Sequence, residues 1–275
     1  MNSTPSFDLE NAEVLLRRPL GLYARLNTGD EQRIVRVFMP PPTLPEAFVA
    51  NLLEFQEKQS EQMKDPAFSP GVVAPLAILR HGDNLTTIFP DPGPETLALL
   101  MKDGSPLPPE AVLRILEALW GILSALSAKD INRFHLEPDL LYVNRGDLSV
   151  RYLDAAMVDL VHCPDIIRFG YLDGRPQFWP PEIISGGEAV GTSNVFFLAM
   201  TAHFLLTGRM MDDGLSPVTA AVHSLNRVLP PIGRFDDEQE NRMNTFLARA
   251  THKEPRRRVA TPLLFLEQLR MILAG

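Results

Sequence analysis

Two short stretches hold the side chains best suited to chemistry. "FHLEPDLLYVN", residues 134–144, sets His135, Glu137 and Asp139 at alternate positions, and "VRYLDAAM" closes a strand-like run on Asp154. A histidine takes a proton at neutral pH, while carboxylates accept protons or hold a hard divalent cation through oxygen. Asp154 working with His135, Glu137 or Asp139 would suit phosphoryl or nucleotidyl transfer. Two plainer readings stand beside that one. A histidine between Phe134 and Leu136 is a structural residue first, and an aspartate after an apolar run is a polar strand end.

Composition narrows the partners. The chain has 275 residues, 45% hydrophobic and 22% charged, an ordinary globular mixture long enough for one large domain or two packed lobes. A formal net charge of −8 argues against nucleic acid, whose binders carry a basic face. The one basic run, "KEPRRR" at Lys253–Arg258, reads as a solvated helix end. The single cysteine, Cys163, excludes an internal disulfide and a cysteine-clustered metal site. The six histidines show no H-E-x-x-H spacing, so no metal or other cofactor is expected. No apolar run reaches the roughly 18–20 residues that span a bilayer. The opening "MNSTPSFDLENAEV" lacks the basic-then-apolar order of a secretory signal, and the expected location is cytoplasmic, without membrane insertion.

These residues need elements to position them. "GLYARL" and "RIVRVFM", joined by polar "NTGDEQ", read as two antiparallel strands. "TLPEAFVANLLEFQEKQSEQMKD" reads as a helix, with Thr43 and Glu46 as a capping box and Leu44, Phe48, Leu52 and Phe55 on one face. "VVAPLAILRHGDNLTTIF" gives two more strands around Gly82–Asn84. After the proline-stiffened "PDPGPETLALL" the pattern turns helical. Val112, Leu116, Leu119, Leu123 and Leu126 line a long helix from Pro109, and "LLYVN" and "SVRYLD" flank a turn at Arg145–Asp147. "NVFFLAMTAHFLLTG" is apolar nearly all round, hence buried, and two further helices close the chain, the last capped by Thr261 with Pro262 behind it. The expected architecture is α+β: a small β-rich lobe with one helix at residues 1–91, and a larger helical lobe at residues 92–275.

In this order the stretches resemble the protein kinase superfamily. "FHLEPDLLYVN" resembles the catalytic loop HRDLKPxNILVN, "VRYLDAAM" the strand ending in DFG, and "FWPPEIISGG" the APE segment. "TSNVFFLAMTAHFLLTGR" is similar to the SDVWSLG helix and "HKEPRRRVATPLLFLEQL" to the DPxxRPT segment. The resemblance implies a base aspartate, a phosphate-binding lysine held by a helix glutamate, and two metal-holding side chains. Here His135 stands at the base, Glu137 at the loop lysine, Leu140 at the metal-binding asparagine, and Arg36 at the phosphate lysine. Leucine offers no oxygen ligand, and the planar fork of arginine does not replace a compact ammonium, so Arg36 reads as a surface or pocket-filling residue. Asp154 keeps the metal aspartate position but is followed by Ala155-Ala156, and the partner glutamate is Glu54, Glu57 or Glu61. Only Gly21 represents the glycine-rich turn, where Leu20 and Leu22 would fill the phosphate space. Pro90 and Pro92 fall at or beside the hinge positions that donate N–H to adenine in the family, and proline has none.

The architecture is retained while the catalytic positions are lost. Glu182 and Arg258 match the family's structural ion pair, whereas Asn194 replaces the aspartate of SDV. Ile166, Ile167, Phe169, Tyr171, Phe178 and Trp179 offer a docking surface, with packing onto the helical lobe as the alternative. The expectation is a catalytically inactive kinase-like module whose partner is another protein. The alternative is a non-standard phosphoryl or nucleotidyl transferase, or an ATP-binding regulatory domain, built on Asp154.

Overall fold

The computed structural model describes residues 12–28, 31–129, 131, 137–157 and 174–275. Strands β1 (Glu13–Arg18), β2 (Gly21–Thr28) and β3 (Glu31–Phe38) form an antiparallel meander. Along β3, Val35 and Val37 pack with Leu26 on one face, while Ile34, Arg36 and Phe38 turn to the other, the period of two that a pleated strand imposes. The sequence expectation began at the second of these strands; β1 is additional.

Helix α1 (Glu46–Gln62) follows. Its N-cap is Pro45, which has no side-chain cap, so the N-cap is not at Thr43 as the capping-box motif implied. Residues 41–44 make a turn of their own, Leu44 N–H to Pro41 O, and Glu46 becomes the first helical residue instead of the third. The helix buries Val49, Leu52, Leu53, Gln56 and Ser60, which leaves Phe55 40% exposed on the outer side instead of in the expected apolar stripe.

Beyond α1, the short strand β4 (Val72–Val73) precedes β5 (Ala77–His81) and β6 (Asn84–Pro90). The five-stranded sheet runs β1-β2-β3-β6-β5. β4 leaves it and lies parallel to a strand of the helical lobe. Gly71 is so close to that lobe that an added Cβ would meet the Ile122 side chain at 2.6 Å. The two lobes are therefore stitched together behind the cleft as well as through the connector.

In the second lobe, a turn of helix α2 (Leu97–Leu100) leads to α3 (Pro109–Ser127), which buries all five expected residues, Val112 to Leu126. Strands β7 (Leu141–Val143) and β8 (Val150–Leu153) form the hairpin that receives β4, in the order β4-β8-β7. After a single turn, α4 (Pro181–Ile184), comes α5 (Gly191–Thr207), buried from Val195 to Leu206 and ended by Gly208 in the left-handed conformation. Helix α6 (Pro217–Leu225), not anticipated from its sequence, precedes α7 (Asp237–Ala250) and α8 (Pro262–Leu273). Thr261 caps α8 by accepting the Leu264 N–H, as its position before Pro262 foretold. Among the described residues no helix is long and apolar enough to cross a membrane.

Candidate functional site

The cleft between the lobes collects the charged residues of both. Its deepest part is built by strand register: Tyr23 pairs with Arg36 across β2–β3, and Arg36 with Thr87 across β3–β6, so the three side chains stand in one row. Asp154 meets this row from the other lobe. It directly follows β8 with φ +59°, a left-handed conformation that short polar side chains tolerate. Its Oδ2 accepts a hydrogen bond from the Tyr23 hydroxyl at 2.9 Å and lies 3.3 Å from Arg36 Nε. Arg36 and Asp154 are each only 1% exposed, and the Arg36 guanidinium sits 5.3 Å from the centre of the Phe38 ring. Arg36 is thus a core residue, not a surface one.

The pair is imperfectly satisfied. Asp154 Oδ1, both Arg36 Nη atoms and Thr87 Oγ1 have no hydrogen-bond partner among the described residues. Burial pushes the Asp154 carboxyl above its usual range, outweighing the downward pull of Arg36 and Tyr23. That direction follows from the geometry, since one carboxylate oxygen has no donor and the other shares a fairly long ion pair. None of Glu54, Glu57 and Glu61 is buried beside Arg36. The phase of α1 instead turns Gln56 inward, bonded to Ser60 at 3.1 Å, so the arginine takes its carboxylate from Asp154.

Nearer the cleft mouth, Glu137 and Asp139 precede β7, with Glu137 only 6% exposed. Arg18, at the end of β1, lies 2.5 Å from Glu137 and 3.4 Å from Asp139. Arg175 donates to Asp139 through Nε and, at 2.9 Å, through Nη2, and its backbone N–H reaches Glu137 at 3.0 Å. The Arg175 contacts hold the Asp139 carboxyl below its usual range against the opposing effect of burial. Leu140 is buried, its N–H bonded to Glu137 O, and presents only carbon where a metal ligand would stand. His135 lies outside the described residues. The remaining space is a cavity of about 300 Å³ bordered by Tyr23, Arg25, Asp139, Leu140, Tyr142 and Arg175. Burial pushes the Tyr142 hydroxyl up to about 12.

Above the cleft, β1 and β2 join through a two-residue turn, Pro19–Leu20, with Arg18 paired to Gly21. Leu20 is buried with Phe38, Leu52 and Leu53, away from any phosphate position, and Leu22 packs on the opposite side of the sheet. Gly21 serves strand contact: at φ +150°, an added Cβ would lie 2.1 Å from Val37 O.

The connector is closed on itself. Pro90, Pro92 and Pro94 carry no N–H. The two N–H groups between them are both engaged: Asp91 donates to Gln32 O at 3.4 Å and Gly93 to Asp91 Oδ1 at 2.8 Å. Arg25 fixes the arrangement, Nε to Asp91 at 2.6 Å and Nη2 to Gly93 O at 3.1 Å.

Far below the cleft, Arg258 forms a two-pronged ion pair with Glu182 at 2.6 and 2.7 Å. Ser193 Oγ adds a third bond to Glu182 at 2.6 Å, and Arg258 Nε donates to His252 O at 2.7 Å. Arg258 is 3% exposed and lies over the Phe196 ring, so "KEPRRR" is not wholly a solvated helix end; Arg256 and Arg257 are exposed and Arg258 is core. Phe178 and Trp179 are 2% and 1% exposed, with Phe178 edge-on to Phe204, and neither is available as a docking surface. Ile166, Ile167, Phe169 and Tyr171 lie outside the described residues.

No protein-family model matches the chain. The serine/threonine-protein kinase PknL of Mycobacterium tuberculosis is 26% identical over 165 residues, 60% of this chain and 41% of that protein. The serine/threonine-protein kinase Pkn1 of Myxococcus xanthus is 30% identical over 178 residues, 62% of this chain and 25% of that protein. The chain therefore spans less than half the length of either relative. The crystal structure of the Mycobacterium tuberculosis PknI kinase domain, a cysteine-to-alanine variant, superposes with a TM-score of 0.67 at 16% identity, covering both chains completely. The chain has a protein-kinase fold, and its sequence is similar to those of serine/threonine-protein kinases.

Against the kinase frame, the sheet lobe, the connector and the helical lobe fall where the resemblance implies. The expected site residues divide into two clusters: Arg36 with Asp154 inside, and Glu137 with Asp139 and two arginines outside. Tyr23, Arg18 and Arg175, which hold those clusters together, and Arg25, which fixes the connector, were not singled out from the sequence. Tyr23 and Arg25 were foreseeable as alternate residues of a strand bordering the cleft. Arg18 and Arg175 were not, because no local pattern reports which carboxylate a surface-like arginine will meet over more than 30 residues of chain.

Proposed function

We propose that this kinase-fold chain is a pseudokinase, a domain that transfers no phosphate and acts by binding another protein. The observation that carries the reading is the connector, where three residues lack an N–H and the two remaining N–H groups are bonded within the chain. Residues 90–94 therefore offer adenine no free backbone donor. The phosphate end supports the same reading. Arg36 replaces the lysine and binds the carboxylate meant for metal, and Leu140 offers no oxygen. A rearranged transferase built on Asp154 needs that carboxylate open to a cation, while its Oδ2 is held by Tyr23 and Arg36. The partner is proposed to be a protein, since the kinase fold is kept while Arg36 and Leu140 stand where its chemistry needs a lysine and an oxygen ligand. Incubation with γ-labelled ATP, Mg²⁺ or Mn²⁺ and general protein substrates tests this. The expected result is no label on chain or substrate above a heat-denatured control; label that disappears in Asp154→Ala would overturn the reading.

A further inference from the structure

We propose that Arg18, Glu137, Asp139 and Arg175 form a clasp that holds the lobes closed and couples that closure to the anchoring of residues 174–179. The clasp goes beyond the functional reading above and does not depend on whether the cleft admits a nucleotide.

Three separate chain segments meet in it. Arg18 belongs to β1 of the sheet lobe, Glu137 and Asp139 to the loop before β7, and Arg175 to the segment leading into α4. Glu137 uses its two oxygens on different segments, Oε2 on the Arg18 guanidinium and Oε1 on the Arg175 N–H. Asp139 is shared in the same way, with Arg18 at 3.4 Å on Oδ2 and Arg175 on both oxygens. Two guanidiniums stand against two carboxylates, so the charges of these four side chains balance. Side-chain exposures of 14% for Arg18, 7% for Glu137 and 25% for Arg175 keep water from screening the pairs as it does at a surface.

The backbone is shaped for the contact. Gly174 has φ +93°, and an added Cβ would lie 1.7 Å from Glu137 Oε1, so only glycine lets the segment reach the carboxylate. From Arg175 the chain is fastened onward to α6. Ser224 Oγ donates to Pro176 O at 3.3 Å and Arg227 Nη1 to Gln177 O at 3.0 Å. Movement of β1 away from the helical lobe must break the Arg18 pairs with Glu137 and Asp139, and so loosen the two carboxylates that hold Arg175. A change at the segment reaches β1 by the same path. The sheet lobe and the 174–179 segment therefore open together.

Amide hydrogen exchange on the whole chain, without nucleotide, tests the coupling. Arg18→Met is expected to speed exchange about tenfold or more both in β1–β2 and at Arg175–Trp179, tenfold being about 1.4 kcal/mol. Arg17→Met, at an exposed neighbouring position, is expected to change neither. Faster exchange in β1 alone, with Arg175–Trp179 unchanged, would overturn the clasp. Should Arg18→Met not fold, Arg18→Lys keeps the charge and loses the fork. It is expected to speed both regions to a smaller degree, and no change at Arg175–Trp179 would count equally against the proposal.

Discussion

Arg36 Nε stands 3.3 Å from Asp154 Oδ2, and neither side chain reaches solvent. In the kinase frame these positions belong to two different partners, phosphate and metal, that a nucleotide brings together. Here they are joined directly, one from β3 and one from the end of β8, with Tyr23 completing the contact. The lobes are bridged at this depth by these three side chains.

Breaking that pair leaves a buried charge without its partner. Asp154→Ala is expected to cost about 3–5 kcal/mol in urea unfolding, because the Arg36 guanidinium cannot reach water. Replacing both residues by apolar ones of similar size, Arg36→Met with Asp154→Leu, is expected to recover most of the loss. A double variant no more stable than Asp154→Ala would show that the charges contribute more than mutual compensation.

The Glu182–Arg258 pair fastens α4 to the turn before α8. Arg258→Ala is expected to destabilise by about 3 kcal/mol or more, since it strands a carboxylate that accepts two of its bonds from this arginine. Arg258→Lys is expected to recover only part of this, because an ammonium cannot reproduce the parallel bonds or the stacking on Phe196. Thermal unfolding of the three forms reads the order directly.

Acid sensitivity follows from the same carboxylate. Burial opposes ionisation of Glu182, but the bonds from Arg258 and Ser193 outweigh it and hold the carboxyl below its ordinary value of 4.5. The unfolded chain therefore takes up a proton first as pH falls below that value. This contribution to stability is complete above the unfolded pKa and is lost as pH drops through the lower, folded one. Urea midpoints measured from pH 7 down to pH 3 are expected to fall more steeply for the parent than for Glu182→Gln, which is weaker at neutral pH.

Gly21 is needed by the strand pair rather than by phosphate. Gly21→Ala is expected to cost about 1–3 kcal/mol, as a strained backbone position that meets Val37 O at 2.1 Å. Chemical denaturation checks this. An unchanged midpoint would show that β2 and β3 shift apart at Gly21 without penalty.

The two-lobed fold was legible because its strongest signals are periodic. The stripe from Val112 to Leu126 and the all-round apolar α5 both lie where their spacing put them, and Thr261–Pro262 starts α8. Weaker elements were hidden. β1 is half-exposed, so it lacks a clean alternation, and β4 is two residues long. Thr43 is not the N-cap because Pro45 sets the helix start two residues later than the motif implied. At the site, the missing chemistry could be read from residue types at Leu140 and in the connector. The replacement contacts could not, since Arg36–Asp154 and Arg18–Glu137 each join residues over a hundred positions apart. Phe178 and Trp179 were the opposite case: aromatic type alone suggested a surface, and packing against α5 placed them in the core.

The most direct test of the account is ATP binding at equilibrium, followed by thermal unfolding of the purified chain with millimolar ATP and with Mg²⁺, Mn²⁺ or no metal. A ligand at a hundred times its Kd adds about 2.7 kcal/mol and raises the midpoint by several degrees. The expected result is no shift under any of the three conditions, because residues 90–94 have no free donor and Arg36 already occupies Asp154. A clear metal-dependent shift that is absent in Asp154→Ala would contradict the account.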